Sequence, residues 1–582
     1  MFFQNMDQQR VKMKGIQLLL TFMTAAAGTA SAATWYVDES VIRSGNGKSW
    51  PTAFKWIQKG IDAASDGDTV LVAEGAYAEN IDFKGKNIVL SSTDPLDFGV
   101  VTNTIIDGGK SDSVVAFLGT ENSTCVLSGF KIANGQATLG GGIRGGGLKA
   151  TQATIENNVI TDNEATFGGG LYGCRGIVRN NRIISNSAQS GGGLAFCSGT
   201  IHDNIIMSNT AQDGDGGGLW NCAGTIRENS IFGNSAIDSD DSGDGNGGGL
   251  ANCDGTIKSN AIIGNSTDMG DGAGLADCDG IIEDNRISGN SAAGIPYLGI
   301  AYGGGLANCD GTIQNNVVTG NSAIRNGGGL FACDGVIRNN LIAVNSAYSG
   351  GGLDECDATI ENNTICDNAA NGMGMVRDGT GGGLNGCSGT IQNCIIWGNS
   401  AAGFGSNLHG TSEPTYCCIQ NWAGGGLGNT SSDPQFIDPD GPDDDSGTWD
   451  DNNYRLVNLA GTSPCVDSGK NETWMWKALD LDGNVRVVKG SSSITVDMGA
   501  YEHRSFVFDI VEVDKTPEGQ PKITWSSRSG DTYSVWSRPR FPTGIMIVPW
   551  TEEASVPSGG ETTSWTDPAV MGQMKIYRIE LK

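Results

Sequence analysis

GGGL, written GAGL once, recurs ten times, with its leucine at 148, 171, 194, 219, 250, 275, 306, 330, 353 and 384, and branched and amide residues follow it at fixed offsets. This repeat, the 90 glycines of the 582-residue chain and the lack of any helical period within the repeat predict an all-β solenoid, a right-handed parallel β-helix. A chain of this length otherwise holds several compact domains.

The repeats lie 23, 23, 25, 31, 25, 31, 24, 23 and 31 residues apart. Counting from the Leu, position +3 is Cys in nine coils: Cys174, Cys197, Cys222, Cys253, Cys278, Cys309, Cys333, Cys356 and Cys387, with Thr151 in the first. Positions +7 and +12 are always Ile or Val, from Ile155 and Ile160 to Ile391 and Ile396. Position +15 is Asn in all ten: Asn163, Asn186, Asn209, Asn234, Asn265, Asn290, Asn321, Asn345, Asn368 and Asn399. Position +10 is Asn in nine, with Cys394 in the last. Three short segments per coil, each with an inward apolar residue and bounded by Gly or Asn, read as three strands joined by tight turns. One repeat cannot bury its own apolar face, so coils stack and identical residues form ladders. Ten coils at roughly 4.8 Å make a rod about 48 Å long before its ends are added. The Asn ladders are expected to hydrogen-bond along the stack at bends, where Asn tolerates left-handed backbone.

The flanking segments follow in chain order. Residues 1–32 read as a cleaved export signal, with Arg10, Lys12 and Lys14 before the apolar run Ile16 to Ala27 and a small-residue cleavage site at Ala30-Ser31-Ala32. Met13 is an alternative start. The apolar run is shorter than the roughly 20 residues of a membrane span, and no second one follows, so no transmembrane segment is expected in the mature chain. Residues 33–100 read as an N-terminal cap with first coils, and an amphipathic helix around Phe54 to Ala64 is expected to cover the first coil, whose strand edges are otherwise unpaired. Residues 101–430 are the β-helix proper, 431–504 an end module that terminates it, and 505–582, alternating apolar and polar as in FVFDIVEV and TYSVWSR, a small β-sandwich.

GGGL followed by IxxN resembles the repeats of polymorphic outer-membrane proteins, and the coil length resembles pectate-lyase-like β-helices, over roughly residues 34 to 430. The stretch DPQFIDPD…VDMGAYE, Asp433 to Glu502, is similar to the C-terminal end module of exported β-helix proteins. The last segment resembles a fibronectin type III domain. These resemblances imply the fold and a secreted or cell-surface setting. The chain closes on Ile579 to Lys582 without the barrel and terminal aromatic of an autotransporter, so self-translocation is not expected.

Charge excludes one partner class: a net −29 with no basic run in the mature chain offers nothing to nucleic-acid phosphates. Among the cysteines, the +3 ladder stacks Cβ atoms roughly 4.8 Å apart and parallel, beyond the mean of about 3.8 Å in a disulfide, and reads as packed thiols. Cys125, Cys366, Cys394, Cys417, Cys418 and Cys465 lie off that ladder and are the better disulfide candidates. Asp254, Asp279, Asp310, Asp334 and Asp357 follow five ladder cysteines. They read as turn residues or, alternatively, as a Ca²⁺ site relieving their mutual repulsion. The segments before GGG carry the changes in coil length and are the first choice of binding face, with Asp238, Asp240, Asp241 and Asp244 on one of them. Asp480, Asp482 and Asn484 suggest a calcium loop but lack the distal Glu of an EF-hand, so a turn is the alternative. Trp525, Trp536, Trp550 and Trp565 read as sandwich core or as a sugar platform.

Arg179, His202, Arg227 and Lys258 share position +8 on successive coils, a basic stripe that is the best enzymatic candidate, because a uronate lyase needs a base and a group to neutralise the carboxylate. No Asp cluster of a galacturonase or Arg/Lys motif of a pectate lyase is recognisable. The expectation is therefore a non-catalytic, adhesive or glycan-binding exported rod, with a lyase or hydrolase of acidic polysaccharide as the alternative.

Overall fold

The computed structural model describes residues 32–503 apart from 147–148, 239–244, 295–300, 373–377, 446, 449–450, 458–462 and 488–494; beyond these it describes 510–515, 520–526, 532–539, 551–557, 562–566 and 575–581. The export signal thus lies outside the described residues. No described helix is long and apolar enough to cross a membrane.

Four parallel sheets run the length of the solenoid, two of 14 strands, one of 13 and one of 11. One coil shows their order: Thr200–His202 in sheet A, Ile205–Met207 in sheet B, Thr210–Gln212 in sheet D and Leu219–Trp220 in sheet C. The repeat therefore holds four strands, not three. The additional one, at +16 to +18, is Ser, Thr, Ala or Gln in most coils, such as Ser187–Ser190 and Ser235–Ile237. It buries only a small residue at its centre, for example Ala188, Ala211 or Ala236, so it lacks the branched signature that marks sheets A and B.

Leu at 0, Cys at +3 and the branched residues at +7 and +12 fill one continuous apolar column. The GGG triplet has two separate causes. Its first Gly turns through positive φ, as at Gly247 (65°), where an L side chain is strained. Its third lies against the next coil, where a Cβ on Gly249 would sit 2.5 Å from the Gly274 carbonyl and 3.2 Å from the Asn265 amide nitrogen. The middle position is just as crowded, since a Cβ on Gly248 would sit 2.3 Å from the Ser266 carbonyl, and one coil accommodates Ala273 there, fully buried.

Both Asn ladders hydrogen-bond along the stack. Asn234, fully buried, donates from Nδ2 to Asn265 Oδ1 (3.0 Å) and to the Ile206 carbonyl (2.9 Å), while its own Oδ1 accepts from the Asn209 backbone N–H (3.0 Å) and Asn209 Nδ2 (2.9 Å). Asn229 and Asn260 repeat the pattern on the +10 ladder. The left-handed residues are not these asparagines, as expected from sequence, but those immediately before them: Glu228 and Ser259 before the +10 ladder, Asp162 and Ser208 before the +15 ladder. The turn is made one residue early so that the next side chain can point inward.

The stack begins inside the expected cap. Thr34–Val37 and Thr69–Val72 are already strands of sheet A, and Gly75–Ala78 starts sheet B. Helix α1, Ile57–Ala63, buries Ile57 and Ile61 against the first strands and closes the core. Helix α2, Phe98–Asn103, is capped by Asp97, which accepts from the Gly99 N–H at 2.7 Å.

The described residues of 433–503 pack on the outer face of sheet B, where Leu341, Ala343, Cys366 and Ile395 of the last coils meet Tyr454, Leu456, Cys465, Met498 and Tyr501. Buried Arg486 anchors this contact, bonding Asn339 Oδ1 through Nε (2.6 Å), Glu502 through Nη1 (2.7 Å) and the Gly499 carbonyl through Nη2 (2.8 Å). Further along the chain, two three-stranded antiparallel sheets enclose Ile523, Trp525, Tyr533 and Val535. Trp525 is core there and Trp565 packs beside it, whereas Trp550 lies outside the described residues.

Candidate functional site: the outer face of sheet A

In sheet A the +7 residue points inward, so +6 and +8 face out. Register places Arg179 beside His202, His202 beside Arg227 and Arg227 beside Lys258, with Glu156 and Glu283 continuing the row at either end. The basic stripe thus exists as a row of side chains at strand spacing, about 4.8 Å. It is also internally neutralised, which the +8 pattern alone did not reveal. Arg179 pairs with Glu156 (2.6 Å), Arg227 with Glu228, and Lys258 with Glu283 (2.8 Å) and Asp284 (3.1 Å). His202 Nδ1 lies 2.7 Å from Asp203 Oδ2, and the ring is half-buried between the two arginine-bearing coils.

Beside this row runs an open, shallow groove of about 530 Å³ lined by Gln152, Arg175, Ser198, Thr200, Thr225 and Thr256. Thr200, Thr225 and Thr256 lie two residues before His202, Arg227 and Lys258 on the same strands, so groove and stripe form one surface. Its floor is the +5 glycine row, where a Cβ on Gly224 would lie 1.9 Å from the Gly199 carbonyl. Position +4 was the missed signal: it is Asp in the five coils from Asp254 to Asp357 and Ser388 in the last, but Gln152, Arg175, Ser198 and Ala223 in the first four. Further along the rod the same face is covered. Trp474 lies over Arg338 at 4.5 Å, and Glu472 accepts from Gln392 Nε2 at 3.1 Å.

The Asp row from Asp254 to Asp357 is exposed and hydrogen-bonded to the next coil. Asp279 Oδ1 accepts from the Asp310 N–H, Asp310 from Asp334 and Asp334 from Asp357, each at 2.9 Å. Asp254 accepts the Asp279 N–H at 3.2 Å. Hydrogen bonds from the Ser388 hydroxyl and N–H hold the Asp357 carboxyl below the usual carboxylate range. Backbone donors, rather than distance, offset the mutual repulsion. Asp238 is buried, and Asp240, Asp241 and Asp244 lie outside the described residues. In the DLDGN segment, Asp480 accepts the N–H groups of Asp482 (3.0 Å), Asn484 (2.6 Å) and Glu502 (2.8 Å), and Asp482 pairs with Arg455 at 2.5 Å. These oxygens are occupied as a hydrogen-bonded turn. Among the described residues no three His, Cys, Asp or Glu side chains converge as a metal site. All fifteen cysteine side chains are buried, and none is bonded to another in this structure.

No protein-family model and no curated protein matches the chain. Among solved structures, a pectate lyase, Pel9A, is similar at 13% identity over 82% of this chain and 98% of that one, with a TM-score of 0.26. XylC in complex with xylose is similar at 11% identity over 70% of this chain and 87% of that one (TM-score 0.29). A rhamnogalacturonan lyase is similar at 13% identity over 74% and 97% of the two chains (TM-score 0.17). Likeness at this level carries no argument about activity. The four stacked parallel sheets and their shared core carry the structural conclusion: this chain is a parallel β-helix protein.

Proposed function

We propose that this protein is an exported rod that acts on an acidic polysaccharide as a lyase, at the face formed by the sheet A stripe and its adjoining groove. The observation that supports this most is the His202–Asp203 pair set between Arg179 and Arg227. In this reading Asp203 holds the proton on Nδ1, leaving Nε2 as the base. Nε2 removes the proton α to the uronate carboxylate, an arginine neutralises that carboxylate, and the glycosidic oxygen leaves with a proton from solvent. An open groove aligned across successive coils suits an extended glycan. A non-catalytic glycan-binding rod is the second reading, favoured by the ion pairs that already occupy Arg179 and Arg227.

The two separate in one experiment. The chain from Ala33 to Lys582 is incubated with a panel of polyuronates and neutral glycans, following unsaturated-uronate absorbance and, in parallel, binding. Turnover that falls about 100-fold or more in His202→Ala, the scale of a lost general base, supports the lyase. Binding weakened by Arg227→Ala, with no absorbance change in the wild type, supports the binding rod. Turnover unaffected by either substitution overturns this site.

A further inference from the structure

We infer that Cys418 and Cys465 form a disulfide that fastens the flanking module to the last coil of the β-helix. Cys417 and Cys418 are adjacent but serve opposite faces of one strand end. Cys417 belongs to the inner column, where its Sγ approaches the Cys394 N–H at 3.3 Å, whereas Cys418 belongs to the cluster on the outside of sheet B. A vicinal bond between them is therefore disfavoured. Cys418 is in register with Ile395, so it occupies the outward row that the module covers. Cys465 comes to the same cluster from the module, and both side chains are fully buried. Cys418 Sγ donates to the Ser432 carbonyl at 3.2 Å, and the Cys465 thiol is held against Cys418, whose hydrogen bond raises the Cys465 pKa above the ordinary thiol value.

The +3 ladder is arranged differently. Its cysteines hang from stacked parallel strands, so their Cβ atoms point the same way at strand spacing, and from Cys197 onward each Sγ donates to the carbonyl two residues back, as in Cys253 to Ala251 (3.3 Å). Cys418 and Cys465 approach from separate elements, the arrangement that lets Cβ atoms face each other.

The oxidant required is a small-molecule disulfide such as oxidised glutathione. One thiolate attacks it, releasing one reduced thiol and leaving a mixed disulfide; the second thiolate attacks that bond and releases the other. Each cysteine loses one proton, and two electrons pass to the oxidant.

The test uses the whole chain from Ala33, folded in a glutathione redox buffer, denatured, alkylated and peptide-mapped with and without reductant. The expected result is two protected cysteines among the fifteen, with a reductant-sensitive cross-link between the Cys418 and Cys465 peptides. Cys366→Ser should retain that cross-link, and Cys465→Ser should leave Cys418 alkylated. Fifteen alkylated cysteines overturn the inference, as does a cross-link joining Cys418 to Cys366 or to Cys417. The wild-type map decides even if a variant fails to fold.

Discussion

Replacing Asn234 by Ala removes one rung of a buried amide column, and the cost can be worked from the bonds it makes. Two donors lose their acceptor, the Asn209 backbone N–H (3.0 Å) and one hydrogen of Asn209 Nδ2 (2.9 Å), and the Ile206 carbonyl loses its donor at 2.9 Å. Asn265 Oδ1 still accepts the backbone N–H of residue 234 (3.0 Å), so it is not orphaned. The Ile206 carbonyl keeps its place in the strand ladder, so two unsatisfied donors at about 1–3 kcal/mol each put the loss at roughly 2–6 kcal/mol. Gln212→Ala, an exposed strand residue, is the control and should change stability by no more than about 0.5 kcal/mol. Because each coil contacts only its neighbours, the effect should be local. The assay is denaturant unfolding combined with hydrogen exchange, reading the Asn209 amide, which should lose protection before amides several coils away. A cost below about 1 kcal/mol, with the Asn209 amide still protected, would refute the claim that the ladder is a stabilising network.

Three further outcomes are expected. Arg486→Met should cost about 3–5 kcal/mol by leaving Glu502 buried without its cation; proteolysis should then nick residues 433–503, and an unchanged digestion pattern would count against Arg486 as the anchor. Burial pushes the carboxyls of Asp354 and Asp497 up to about 7, from an ordinary 3.8. Folding favours their protonated forms, so their contribution is fully present below pH ~4 and lost as pH rises through ~7; the melting temperature should be higher at pH 5 than at pH 8, and a paired Asp354→Asn, Asp497→Asn variant should flatten that slope. Once the disulfide is formed, Cys465→Ser should lower stability by about 4 kcal/mol, the loop-closure entropy of roughly 48 residues, and a loss seen equally under reducing conditions would point to packing instead.

The parts of the fold that were legible in sequence are those where one residue type must repeat. Cys at +3, branched residues at +7 and +12, and Asn at +10 and +15 each contact their own copies, so stacking preserves identity. Sheet D escaped because its inward residue, such as Ala211, needs only to be small. The flank position of residues 433–503 escaped because it depends on outward apolar residues in the last coils, Leu341, Ala343 and Ile395, which look like ordinary strand residues in isolation. At the candidate site the cations were readable from their shared offset, but their pairing was not. Glu228 is a chain neighbour of Arg227, whereas Glu156 reaches Arg179 only through the register between coils. The groove needed the third dimension, since its floor is defined by the distance from Gly224 to the Gly199 carbonyl.

The amide columns also give the solenoid a direction. From Asn158 and Asn163 onward, each side chain sends one Nδ2 hydrogen to the amide oxygen of the following coil and the other to a carbonyl of the preceding coil, while its own Oδ1 receives from the preceding coil. Aligned amide dipoles polarise one another, adding about 10–30% per bond, so the rod is electrically a pair of parallel wires with positive ends toward the C-terminus. A gene that gained or lost one whole period would change the length of these wires and invert no rung, whereas an insertion between +10 and +15 would shear both columns. Length can therefore drift freely by complete coils, and the variable spacing between repeats is confined to the stretch where no wire passes.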